Sequence, residues 1–212
     1  MRDLIIIGGG EHARVVIEAA RSLADWNVLG FVDPLPCDET AARMKVERLG
    51  DDETIRRHPQ AALVLGIGTS GLDDRRQKAV AGLGAAAARW ATVIHAAAWV
   101  SPTATLGAGS VVLAGAVVNS GASVGRHCIV NSRACIEHDA TLGNFVHTAP
   151  GSIVAGGAGV GDGSYLGIGA LIRDHRTIGR ECLVGMGAAV TRNFGDGVIL
   201  VGVPAHPQGG KR

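Results

Sequence analysis

Aromatic residues are scarce in this chain: three Trp, three Phe and one Tyr among 212 residues. Seven rings cannot supply the stacking platform that single-stranded nucleic acid requires. Charge of one sign is also missing. Twenty Lys and Arg face nineteen Asp and Glu, a formal net charge of +1, so no footprint for a polyanion is visible. The four cysteines (Cys37, Cys128, Cys135, Cys182) form no CxxC pair and have no zinc-ligand spacing. A disulfide framework and a structural metal are therefore not expected. No apolar run is long enough to span a bilayer, and Met1-Arg2-Asp3 leads straight into a strand-like segment without a secretory leader. A cytoplasmic protein with neither nucleic acid nor membrane as partner is the expectation.

What the chain has is a period of six. From Ile94 to Val190 an aliphatic residue recurs at every sixth position, broken only at Thr148, which has the shape of Val. Two places before each, from Ala98 to Ala188, stands Ala, Ser or Cys, except at Val146 and Arg176. Cys128 and Cys182 occupy this small-residue slot, which implies packing. Neither a helix nor an ordinary strand has this period. A coil of short strands and tight corners does, because each side of a triangular turn consumes one hexad and points one bulky residue inward. The pattern specifies a parallel β-helix of a little over five coils. Arg173-Asp174-His175-Arg176 breaks the slot, and a charged corner looped out of the coil is expected there.

Residues 1–90 read differently. Leu4-Ile5-Ile6-Ile7 is a buried-strand run ending in Gly8-Gly9-Gly10. His12 to Ala24 has apolar residues at helical spacing, Val28 to Val32 is a strand stopping at Asp33-Pro34, and Thr54 to His58 is a short helix. Ala61 to Ile67 is a third strand and Asp73 to Ala88 another helix. The alternation predicts a small Rossmann-like α/β domain with a parallel sheet. Arg89 to His95 would link it to a second domain, residues 91–212, made of the coil, a closing segment at Val198–Pro204 and a disordered basic end.

Gly8-x-Gly10-x-x-Ala13 follows a strand and opens a helix, with Asp33 at the end of the next strand. Glycines there let backbone approach phosphate at a helix N-terminus, and the acid takes a ribose hydroxyl. The same glycines serve equally to pack strand on helix. Fewer than ninety residues precede the coil, too few for a full dinucleotide domain and a hydride-transfer site, so a single nucleotide fits the length better.

Together with the hexads, Ile6-Ile7-Gly8-Gly9-Gly10-Glu11-His12-Ala13-Arg14-Val15-Val16, Gly30-Phe31-Val32-Asp33 and Gly66-Ile67-Gly68 resemble the sialic-acid O-acetyltransferase/nucleotide-amino-sugar N-acetyltransferase family. The resemblance implies a left-handed β-helix, acetyl-CoA as co-substrate, a nucleotide-linked 4-amino-sugar as acceptor, no metal, and a homotrimer with shared active sites. It places Gly10, Glu11 and His12 in the phosphate and sugar turn, Asp33 near the nucleoside and Gly68 at the third strand end. It makes His138, in Ile136-Glu137-His138-Asp139, the general base, with Asp139 its carboxylate partner. It puts His147, Ile168 and Met186 against acetyl-CoA. Glu11, Pro34, Thr69 and His206 depart from the family's usual residues.

The chemistry suits those residues. A sugar ammonium must lose a proton before its nitrogen attacks a thioester, and imidazole does this near pH 7. Neighbouring strand residues point to opposite faces, so Asp139 serves His138 only if the pair lies at a corner. Gly156 lies eighteen residues on, one coil higher. A glycine there would leave room for the acyl thioester and aim a backbone N–H at the developing oxyanion. O-acetylation of a sialic-acid-like sugar is the nearest alternative. A zinc carbonic anhydrase and a non-catalytic sugar-nucleotide binder are more distant ones.

Overall fold

The computed structural model describes residues 1–51, 53–84 and 89–208. They form two compact units: Met1–Gly68 with Asp73–Ala96, and Thr69–Leu72 with the chain from Ala97 onward.

In the first unit, β1 (Arg2–Ile7), β2 (Trp26–Val32), β3 (Glu47–Gly50) and β4 (Ala62–Leu65) form a parallel sheet in the order β3-β2-β1-β4. β1 is central, which is why Leu4, Ile5, Ile6 and Ile7 are all buried. The helix α1 (Glu11–Arg21) covers the sheet with Ala13, Val16, Ile17, Ala19 and Ala20. It stops three residues before the predicted end, where the Ser22 hydroxyl donates to the Ala19 carbonyl at 2.7 Å. Two elements escaped the sequence reading, α2 (Asp38–Met44) and β3. α2 buries only Thr40, and β3 is an edge strand with no buried residue, so neither carries an apolar period. The short α3 (Glu53–Arg57) agrees with expectation to within a residue. α4 (Arg75–Gly82) is shorter than the helix predicted over 73–88, whose last four residues lie outside the described ones. The expected linker is partly built into this unit: Trp90 bridges to Leu63 beside β4, and Ala91 N–H donates to Leu63 O.

The second unit is a left-handed parallel β-helix. Two-residue strands run from Trp99–Val100 to Ala189–Val190, and those up to Leu171–Ile172 each pair with the strand eighteen residues on, as in Cys135↔Ile153 and Ile136↔Val154. The second residue of each strand is the hexad residue and points inward. From Val112 to Val190 every one of them is buried. Thr148 fits because its hydroxyl donates to Ile129 O at 3.2 Å, so the polar atom is not left unpaired. Cys128 and Cys182 are fully buried in the small slot, as expected.

The outward residues give the sides different characters. One side carries Trp99, Val117, Cys135, Ile153 and Leu171, and another Thr105, Ser123, Thr141, Gly159 and Thr177. The third carries Val111, Ile129, His147, Tyr165 and Leu183. The coil closes with Ile199–Val201 laid parallel on Leu183–Val184, and His206–Pro207 returning antiparallel. Residues 209–212, predicted as a disordered basic end, lie outside the described residues.

Arg173–Arg176 corrects an expectation. Nothing loops out: Asp174 and His175 make a regular corner, and Arg176 sits half-buried in the slot. The backbone ladder tolerates the break because Arg176 O still accepts Gly159 N–H at 2.9 Å.

Candidate active site

Sheet order alone points to a ligand crevice in the first unit. β2 and β4 leave β1 on opposite sides, and ligands of open parallel sheets bind outside the strand carboxyl ends where the order reverses. Gly8–Gly10 follows β1 and Gly66–Gly68 follows β4. The three glycines of the first turn do different things. Gly8 holds φ +96°. Gly9 is wedged: a Cβ there would lie 2.4 Å from Phe31 Cε2 and 2.8 Å from Cys37 Cβ. A side chain at Gly10 would meet nothing within 4 Å. Gly10 also caps α1 without any side-chain hydrogen bond, so the first amides of that helix remain available to an anion. Glu11 is exposed in the first turn of α1.

Asp33 accepts Gly9 N–H on Oδ2 at 2.8 Å and Leu35 N–H on Oδ1 at 2.9 Å. Its carboxylate therefore braces the glycine turn against the end of β2, and it also takes a hydrogen bond from the Cys37 thiol. His12 and Gly68 are in contact, since a Cβ on Gly68 would fall 2.9 Å from His12 Cβ. His12 is half-buried as a residue, and its Nε2 atom is buried. Burial and the Arg76 guanidinium push its pKa down to about 4. Arg76, itself buried in the first turn of α4, had no signal in the sequence.

In the second unit His138 and Asp139 are the two central residues of a corner. Asp139 holds φ +59°, a left-handed conformation that Asp tolerates better than most residues. This turns its carboxylate sideways to accept His138 Nδ1–H at 3.0 Å. Since a carboxylate only accepts, the bond fixes the tautomer and leaves Nε2 with its lone pair. Both side chains are exposed. The Asp139 hydrogen bond, with the charges of Asp139 and Glu137, raises the His138 pKa above its ordinary value against a smaller opposing desolvation.

Glu137 is held too. Asn119 Nδ2 donates to its Oε2 at 3.0 Å and Cys135 Sγ donates to its Oε1 at 3.3 Å. The Cys135 bond first, then Asn119 and His138, hold the Glu137 carboxyl below its usual range against burial. Burial, then Glu137, pushes the Cys135 thiol up to about 11. Asn119 and Glu137 are one coil apart, a relation visible in sequence only once eighteen is known as the stacking interval.

Gly156 does stand over His138, but the space it leaves is already taken. A Cβ there would lie 2.6 Å from His138 Nε2 and 2.7 Å from Cε1, so the glycine makes room for the imidazole rather than for a thioester. Gly121 plays the same part for Asp139, at 2.6 Å from Oδ1. His147 is elsewhere, buried on another side, with Nε2 3.1 Å from Asn131 Nδ2 and its ring edge-on to Tyr165. Ile168 and Met186 are exposed at successive levels of a different edge, linked by Gly187 N–H to Ile168 O. Within one chain the structure joins His138, Asp139 and Gly156, and keeps His147, Ile168 and Met186 apart from them. Among the described residues, no group of three His, Cys, Asp or Glu could hold a metal ion, and no helix is long and apolar enough to cross a membrane.

A nucleotide-type crevice on a small parallel sheet, joined in one chain to a hexapeptide coil with a carboxylate-oriented histidine at a corner, defines a class: β-helical acyltransferases acting on nucleotide-bound acceptors. Comparison with known proteins narrows it. Residues 3–80 match the family model for the PglD N-terminal domain. The acetyltransferase domain of PglB from Neisseria gonorrhoeae is 31% identical with a TM-score of 0.87, over 98% of this chain and 100% of that one. The same domain has been solved with acetyl coenzyme A, at a TM-score of 0.88, 31% identity, and coverage of 98% and 99%. PerB from Caulobacter crescentus, in complex with CoA and GDP-perosamine, is 34% identical with a TM-score of 0.85, over 99% of this chain and 98% of that one. No curated protein sequence matches. The chain belongs to the hexapeptide-repeat family of nucleotide-amino-sugar acetyltransferases.

Proposed function

We propose that this protein transfers the acetyl group of acetyl-CoA to the amino group of a UDP- or GDP-linked 4-amino-sugar, with His138 as general base. The observation that carries the chemistry is the His138–Asp139 corner: Nδ1 is committed to a carboxylate at 3.0 Å, the side chain is exposed, and Nε2, which lies beside Gly156, keeps its lone pair. Nε2 takes a proton from the acceptor ammonium. The freed nitrogen then attacks the thioester carbonyl to give a tetrahedral oxyanion, whose collapse breaks the C–S bond and expels the CoA thiolate, and the proton shed by the nitrogen passes to that sulfur. No covalent enzyme intermediate is needed. The Gly156 backbone N–H is assigned to the developing oxyanion. Solved relatives of about one-third identity support both substrates, since one holds acetyl coenzyme A and another CoA with GDP-perosamine.

The nucleotide end of the acceptor belongs at Gly10, Glu11, His12, Asp33 and Gly68, where the Gly10 side is open and the helix start uncapped. His147, Ile168 and Met186 are assigned to acetyl-CoA. Because they lie away from His138 within one chain, a homotrimer with sites shared between subunits is the fitting assembly. The side bearing Trp99, Ile153 and Leu171 supports this, for all three are exposed where a lone coil would need polar residues. A cytoplasmic location accords with acetyl-CoA as donor.

Purified protein with acetyl-CoA and GDP-perosamine, or UDP-linked 4-amino-sugars, tests the reading. CoA release coupled to a mass gain of one acetyl group on the sugar nitrogen is expected. Acetylation of a sugar hydroxyl instead, or none on any acceptor, would reject it.

A further inference from the structure

The corner one coil beyond the base carries a second imidazole that the chemistry above leaves unused. His175 holds φ +53°, a left-handed conformation that disfavours a side chain. Glycine makes the same corner one coil earlier, at Gly157 with φ +64°. The His175 backbone N–H donates to Gly156 O at 3.0 Å, so the corner's own hydrogen bond needs no particular side chain. Its ring lies back over the preceding coil: a Cβ on Gly157 would fall 2.6 Å from His175 Nδ1 and 2.9 Å from Cε1.

Gly157 is the neighbour of Gly156, against which His138 lies from the other direction. One imidazole rises from the coil before and one descends from the coil after, and both face the same Gly-Gly dipeptide. Each glycine is required by one ring. Among the described residues, the His175 side chain is exposed and makes no hydrogen bond, ion pair or ring contact. Glycine would build this corner with less strain, so the fold alone gives no reason for a histidine.

We propose that His175 is a specificity-determining residue for the acceptor: its imidazole hydrogen-bonds a hydroxyl on the sugar carbon next to the one bearing the reacting amine. This rests on the N-acetyl-transfer reading. An amine poised at His138 Nε2 carries its neighbouring ring substituent beside it, and His175 lies against the glycine next to the one His138 lies against. A hydroxyl both donates and accepts, as a neutral imidazole does through its two nitrogens. The thioester carbonyl only accepts and offers a single atom, a poorer match. A site that pairs a particular hydroxyl also disfavours acceptors lacking it.

Steady-state kinetics with acetyl-CoA and GDP-perosamine, or whichever UDP- or GDP-linked 4-amino-sugar the wild type turns over best, tests this with each substrate varied in turn. His175→Ala and His175→Gly should each raise the acceptor KM about three- to tenfold, the worth of one neutral hydrogen bond. The KM for acetyl-CoA should stay within twofold, and His175→Asn, which keeps a donor and an acceptor, should recover part of the loss. The glycine variant should melt at or above the wild-type temperature, which separates the effect from misfolding. An unchanged acceptor KM in both variants, or a rise confined to acetyl-CoA, overturns the inference while leaving the proposed function standing. A wild-type protein that acetylates no nucleotide-linked amino-sugar overturns both.

Discussion

Two corners of the coil put a histidine on almost the same backbone and use it in opposite ways. At Arg126–His127 the histidine is the second corner residue, with φ +56°, buried, and stacked on Phe145 at 4.9 Å between ring centroids. A Cβ on Gly109, one coil earlier, would meet its Nδ1 at 2.2 Å. At His138–Asp139 the histidine is the first corner residue, and the left-handed position goes to the aspartate that orients it. Moving one place along the corner turns an imidazole from packing material into an exposed side chain held by a carboxylate. The side chain at the left-handed position lies back along the coil, whereas His138 lies forward along it, reaching Gly156. What the residue can do follows from that direction more than from its identity.

Removing the imidazole should break the contrast most sharply. His138→Ala should lower turnover by roughly 10²–10⁴-fold, the usual worth of a positioned base, and leave the melting curve unchanged, because the ring supports nothing in the fold. Turnover near the wild-type level would take His138 out of the mechanism.

Gly156→Val comes next. Its Cβ would occupy the place of the His138 ring, so the base must swing away and turnover should fall about 10²-fold or more. Calorimetric titration of the nucleotide-sugar should show binding to the first unit unimpaired. A fully active valine variant would mean that His138 works from another rotamer.

Asp139→Asn should cost less, about tenfold in kcat/KM. The sign of its pH effect follows from the shift. Asp139 raises the His138 pKa, chiefly through its hydrogen bond, so losing the charge lowers that pKa and moves the acidic limb of the rate profile to lower pH. A limb that stays in place would show that Asp139 does not act on the base.

For His127→Ala the expectation is the mirror image, with turnover within twofold and unfolding free energy down by about 1–3 kcal/mol through the lost packing and ring stack. Denaturant titration reads the stability. A variant as stable as wild type but slow in catalysis would erase the distinction between the corners.

The coil was legible because each of its sides makes the same demand. One inward position per hexad must be bulky and apolar, a small one must precede it, and the demand repeats until it is unmistakable. His138 and Asp139 were legible through motif, and their placement at a corner through the requirement that neighbours share a face. The first unit was less legible. β1 and α1 declare themselves through Leu4–Ile7 and the Val16–Ile17–Ala20 stripe, but β3 is an edge strand and α2 buries one threonine, so hydrophobic period says nothing about either. Gly9 was only the open position of the Gly8-x-Gly10 motif, yet Phe31 and Cys37 leave no room for a side chain there.

By itself the sequence determined the architecture, its period, the family and the candidate residues for its chemistry, because those depend on local pattern and side-chain type. Only the tertiary structure decided which way the corner side chains lie. It showed that Gly156 yields its space to the base and that Arg173–Arg176 stays within the coil, and it brought His175 to the same dipeptide as His138. Those outcomes depend on contacts between residues eighteen or more apart, where a missing Cβ on one coil is the cavity into which the next coil's side chain fits.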